Sequence, residues 1–135
     1  MARGGISFAG IGAQQATFKA GANLKALVDD NDRDYVVGMP VVISGAGEVD
    51  LGADGDTVFG FVDVYEDDGH VGVQFRGFRE DIVISTGETH TATVGKVTAV
   101  NGSGEVKDSS TTAKLRAPVF IDVDEINGTA TIFLG

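Results

Sequence analysis

Asp30, Asp32 and Asp34 stand at alternate positions, and carboxylates so spaced open a calcium-binding loop. That loop needs glycine at its sixth position and a bidentate glutamate at its twelfth. Tyr35 and Val41 stand there instead, so the pattern fails. Asp54 and Asp56 make a second, weaker pair in a glycine-rich stretch. His70 borders a turn and His90 lies in the polar run STGETHTAT; far apart in sequence, both read as surface imidazoles. Gly10-Ile11-Gly12 lacks the third glycine of a dinucleotide fingerprint and follows no strand pattern. No G-x-S-x-G elbow, phosphate-binding G-x-x-x-x-G-K-[ST] loop or H-E-x-x-H pair occurs. The chain has no cysteine, which removes disulfides and thiolate metal sites. Asn101-Gly-Ser103 and Asn127-Gly-Thr129 match the glycosylation triplet but read better as hairpin turns. The expectation is a non-enzymatic protein with no catalytic residue, cofactor or metal.

The segment VQFRGFRE, Val73 to Glu80, concentrates Phe75, Arg76, Phe78 and Arg79 in a chain poor in basic residues. Aromatic residues and arginine are enriched at the buried centres of protein interfaces, which makes these four the candidates for a subunit interface. The other reading is a core strand with Phe75 inward and the arginines in water. Gly77 would then allow a bulge that returns Phe78 to the face of Phe75.

The elements that would carry these residues are bounded by composition. A chain of 135 residues fits one domain, and a domain of that size buries roughly 65–70% of the surface its unfolded chain exposes. Valine dominates over leucine, which favours strands, and 20 glycines against two prolines suggest many tight turns. Asp and Glu outnumber Lys and Arg by 20 to 10, for a net charge of −10. Such a surface repels phosphate backbones and anionic lipid, so neither nucleic acid nor membrane is an expected partner. No apolar run approaches the roughly 20 residues of a spanning helix. Residues 1–16 read as a flexible N-terminal arm rather than an export signal, with Arg3, Ile6, Phe8 and Ile11 available for attachment.

From residue 17 onward the pattern is all-β. Thr17 to Ala20 is extended, and Asn23 to Val28 alternates like a strand although a short helix is the other option. Asp29 to Asp34 reads as a solvated loop. Further strand signals are Tyr35 to Val37, Val41 to Ser44, Glu48 to Leu51, Val58 to Tyr65, His70 to Phe75, Ile82 to Ser85 and Thr91 to Thr93. Val97 to Val100, Glu105 to Lys107, Val119 to Val123 and Thr129 to Leu134 complete them, and Thr111 to Arg116 could form a brief helix. Asp68-Gly69 and Asn127-Gly128 are tight-hairpin turns. Residues 38–75 and 95–134 repeat one another at a spacing that drifts from about 57 to 59. Val41, Gly47, Glu48 and Val49 match Val97, Gly104, Glu105 and Val106; Phe61, Asp63, Val64, Glu66 and Gly69 match Phe120, Asp122, Val123, Glu125 and Gly128. Repeats of this kind imply units that cannot each bury an apolar face alone. They predict superposable backbones with Phe61 and Phe120 both buried, in a compact sandwich or barrel spanning 17–135.

Taken together, the chain resembles the capsid decoration, or cement, proteins of tailed bacteriophages. Gly38-Met-Pro-Val-Val-Ile is similar to that family's strand entrance, and Val58-Phe-Gly-Phe-Val-Asp-Val follows it. Val94-Gly-Lys-Val with Asn101-Gly-Ser-Gly-Glu-Val-Lys resembles its later hairpin, except that Lys96 replaces the more familiar proline or acid. The resemblance implies a β-tulip or barrel-like fold, a homotrimer, and binding to the major capsid protein at three-fold and quasi-three-fold positions on the outer virion surface. It also implies manufacture in the bacterial host cytoplasm and an N-terminal arm that orders against capsid subunits. Other phage tail or fibre subunits, or an extracellular β-sandwich binding module, are the alternative readings. A sugar-binding module would want exposed Trp or clustered Tyr; Trp is absent, and Tyr35 and Tyr65 are the only tyrosines.

Overall fold

The computed structural model describes residues 13–85, 92–109 and 118–135, and in them the chain is predominantly β, as expected. Strand β1 (Gln14–Ala20) turns Ala16, Phe18 and Ala20 inward by simple alternation. It begins inside the span read as an arm, so that boundary moves back to before Gln14. Helix α1 (Ala22–Asp30) follows where strand alternation was expected. Leu24, Leu27 and Val28 lie at i, i+3 and i+4 and face the core, whereas Ala26, part of the apparent alternation, is exposed. Asp29 and Asp30 therefore finish a helix rather than open a loop. A 3₁₀ turn (Arg33–Val36) then replaces the strand expected at Tyr35 to Val37. Asp32 caps it by accepting the Tyr35 N–H at 3.0 Å, and Val36 is the residue it buries.

Strands β2 (Pro40–Gly45), β3 (Glu48–Asp50), β4 (Gly60–Tyr65) and β5 (His70–Arg76) complete a closed barrel in the order β1-β3-β2-β4-β5. β1 closes it, antiparallel to β5 and parallel to β3, where Ala20 pairs with Val49. After Gly77 come β6 (Phe78–Val83), β7 (Thr98–Val100), β8 (Val106–Asp108), β9 (Val119–Asp124) and β10 (Thr129–Phe133). β6 starts before the strand expected at Ile82 to Ser85. Ala92 and Thr93 are not strand, Thr91 lies outside the described residues, and so does the expected helix at 111–116.

The second set of strands repeats the first. β6, β10 and β9 form one sheet and β7 and β8 another, but two single bridges link them: Ile84 to Val106, parallel, and Val97 to Val119, antiparallel. The resulting order, β6-β8-β7-β9-β10, is that of the first barrel. Hydrogen bonds coincide as well. Gly38 N–H donates to Val62 O and Val62 N–H to Met39 O; Gly95 N–H donates to Phe120 O and Phe120 N–H to Lys96 O. Ala20 N–H donates to Gly69 O and Gly21 N–H to Val49 O; Ile84 N–H donates to Gly128 O and Ser85 N–H to Val106 O. The pairs Val42–Asp50 and Ile43–Val49 recur as Ala99–Lys107 and Val100–Val106. A bulge leaves Asp63 unpaired in β4, and Ile121 is skipped at the same place in β9.

This register corrects the residue matching read from sequence. Phe120 corresponds to Val62, and Phe61 corresponds to Val119, one position away from the expected pairing. The register correspondingly begins at β1 and β6, earlier than residues 38 and 95. Because side chains alternate with period two, a slip of one residue puts a side chain on the opposite face. Phe61 and Phe120 are both fully buried, yet for different reasons: Phe120 fills the inside of its own barrel, while Phe61 points out of the first barrel.

Each barrel has a core, but the second is completed by Val58 and Phe61 of the first, so the expectation that a unit cannot bury its apolar face alone fits the second barrel and not the first. Val49, Val62, Val71 and Val73 line the first; their counterparts Val106, Phe120, Ala130 and Ile132 line the second.

Candidate functional site

Specific backbone and side-chain contacts join the two barrels. The stretch 52–58, leading into β4, lies along β7. Val100 N–H donates to Asp56 O, Gly55 N–H to Val100 O, and Thr57 bridges Ala99. Val58 and Phe61 enter the second barrel's core and Val42 packs against it. Nothing from the second barrel joins the first core among the described residues. The joint is therefore one-sided: an outer face of one barrel plugs the end of the other. Lys107 Nζ, largely shielded, holds Asp54 at 2.6 Å across it.

A polar network pins the other side. The bulge in β4 aims Asp63 at Arg79 of β6, and bulges commonly re-aim side chains in this way. Arg79 makes an ion pair with Asp63 and also donates to Gln74 Oε1 (3.2 Å) and Val62 O (3.3 Å). Gln15 Nε2 donates to the second oxygen of Asp63. The buried Gln74 donates from Nε2 to Arg76 O and Phe78 O, both at 3.0 Å, and so clasps the backbone on either side of Gly77. Gly77 has φ near 91°, a conformation glycine takes without a Cβ clash.

The four interface candidates thus divide. Phe75 is half-buried and stacks on Phe59 at 6.0 Å, with Phe18 edge-on to Phe59 at 5.5 Å. Phe78 is half-buried in the other barrel and packs on Phe133 at 4.8 Å. Gly77 therefore does not return Phe78 to the face of Phe75; it passes the chain from one barrel to the next. Arg79 faces the joint rather than water, and Arg76 is exposed beside Gln14, with which it pairs. Arg3, Ile6, Phe8 and Ile11 lie outside the described residues. Sequence reasoning missed Asp63 and Gln74 because their partners are set by the bulge and the joint. Gln74 alternates with the inward Val73 of β5, a place where a polar residue is ordinary, so the sequence carried no signal for it.

Beside the joint, Tyr35, Val37 and Val83, each partly exposed, line a cleft of about 310 Å³ with Asp81 and Glu105 at its polar side. Asp81 has φ near 59°, in the left-handed region that non-glycine residues seldom adopt. Apolar walls with two carboxylates suit an apolar or cationic group and oppose an anion. Elsewhere, burial raises the Tyr65 phenol pKa above its ordinary value, with Asp29 and Asp68 adding to the effect. Asp68 is held below the ordinary carboxylate value, first by the hydrogen bond from His70 N–H and then by the His70 side chain. Asp30, Asp32 and Asp34 form no metal-holding cluster; no group of three potential ligands occurs among the described residues. Nor is any described helix long and apolar enough to cross a membrane.

No protein-family model, curated protein or solved structure matches this chain.

Proposed function

We propose that this chain is a structural virion protein without enzymatic activity. It binds the outer surface of a tailed-phage capsid as a homotrimer at three-fold and quasi-three-fold positions and stabilises the shell. The major capsid protein is its partner. The observation that supports this reading is the pairing of Gln14 with Arg76. It roots the chain that precedes Gln14 beside Arg76, the exposed member of the Phe75–Arg79 segment. Ile6, Phe8 and Ile11 are apolar groups for shallow capsid grooves, and Arg3 pairs with acidic capsid residues. Ordering such a segment costs about 1–2 kcal/mol per fixed residue, so one arm binds weakly. Three arms on one trimer compensate through raised effective concentration.

The test removes residues 2–12, leaving β1 whole, and measures fold by circular dichroism and binding by co-sedimentation with capsids of the source phage. The expected outcome is an unchanged body that no longer pellets with capsids. Undiminished pelleting would overturn the arm's role, and failure of the full-length chain to pellet would overturn the capsid reading itself.

A further inference from the structure

The cleft beside the joint is assembled from both barrels, and each part of its lining has a local cause. The 3₁₀ turn buries Val36, which leaves Tyr35 and Val37 turned outward, 51% and 42% exposed. In β6 the buried Ile82 turns its neighbour Val83 out into the same cleft. Gly104, on the turn between β7 and β8, closes against Met39: a Cβ there would lie 2.7 Å from the Met39 Sδ. A Cβ on Gly38 would meet nothing within 4 Å, so the space beside it is left open.

The polar side is not inherited from the repeat. In the first barrel, Ala16 and Thr17 pair in step with Val73 and Gly72. In the second, Arg79 pairs with Ile132 and Ile82 with Ala130, so Glu80 and Asp81 together oppose Thr131. This bulge adds one residue to β6 and places Asp81 in the cleft lining. Asp81 has an interaction of its own, so the charge available to a ligand is that of Glu105. Glu105 Oε1 accepts Asn101 Nδ2–H at 2.8 Å, which holds the carboxylate in place, and no described residue engages Oε2. No lysine, arginine or histidine is among the residues that line the cleft.

We infer that this cleft receives a lysine or arginine side chain presented by a partner protein. The apolar stem packs on Tyr35, Val37 and Val83, and the cationic head meets the Glu105 carboxylate and the Tyr35 ring. A wholly apolar occupant would leave Glu105 cut off from water without a counter-charge. The volume, about 310 Å³, is at the small end of ligand pockets and suits one or two side chains rather than a larger molecule. A net charge of −10 attracts a basic partner to this surface and turns an acidic one away. The inference concerns the cleft alone and does not rest on the capsid reading.

The test titrates isotope-labelled protein with N-acetylated tripeptide amides whose central residue is lysine, arginine or norleucine, followed by amide NMR. The lysine and arginine peptides are expected to give saturable shifts confined to Val37, Gly38, Val83, Ser103 and Gly104. Norleucine, an apolar stem without the charge, is expected to give none. Glu105→Gln keeps an acceptor for Asn101 and removes the charge. It is expected to weaken lysine-peptide binding about three- to five-fold with an unchanged circular dichroism spectrum. Tyr35→Ala, at an exposed position, is expected to weaken it about two- to five-fold. Basic peptides that give no saturable shift, or shifts scattered over the acidic surface, overturn the inference. So does norleucine binding equal to lysine, or undiminished binding by Glu105→Gln.

Discussion

Thr98 shows how one side chain records the duplication. It occupies the place of Val41 in the first barrel, is fully buried, and no described residue hydrogen-bonds its Oγ1. A buried hydroxyl without a partner costs about 1–3 kcal/mol in lost hydration. Thr98→Val, which copies the first barrel's own solution, is expected to raise stability by about that amount. A urea-denaturation midpoint that falls or stays level would mean that the hydroxyl is satisfied after all. Arg79 makes the opposite case. Its ion pair with Asp63 is about one-fifth exposed on each side, and it serves the joint by satisfying a bulge carboxylate and two neighbouring acceptors.

Among the elements, α1 depends on a residue far from it. Its N-cap is Gly21, which offers no side chain to the free N–H groups. Asp50, on β3, supplies the carboxylate: Oδ1 accepts Leu24 N–H at 2.8 Å and Oδ2 accepts Asn23 N–H at 3.3 Å. The fit is close, since a Cβ on Gly21 would lie 2.4 Å from Asp50 Oδ2. Loss of a capping side chain typically costs about 0.5–2 kcal/mol. Asp50→Ala is therefore expected to destabilise the protein by that amount and to speed hydrogen exchange in α1 before the strands. Uniform acceleration through the barrel would show that Asp50 acts on β3 packing instead.

For the whole molecule, two small cores are coupled through a plug that belongs to only one of them. Phe61 leaves the first barrel and is buried in the second. Truncating a buried phenylalanine costs about 3–5 kcal/mol, partly as a cavity. Phe61→Ala should charge that loss mainly to the second barrel. Amide protection is expected to fall at Phe120 and Ile132 while Val71 and Val73 keep theirs. Equal loss in both would mean that the two cores open as one unit.

Valine-rich alternation and the Asp-Gly and Asn-Gly turns are local patterns, and they sufficed to read the β class, most strand positions and the existence of a repeat. Residue pairs within one hairpin are close in sequence, so their signals survive in a short window. The face taken by Phe61 was not legible, because it depends on a register set by strands on either side of a bulge. Nor was α1, whose cap lies 26 residues away, or the inward turn of Arg79 toward Asp63, 16 residues away. The repeat's full extent also escaped, since β1 and β6 share register and hydrogen bonds but little sequence. Those bonds run through the backbone, which every residue carries alike, so only folding could reveal that two dissimilar strands close the same barrel.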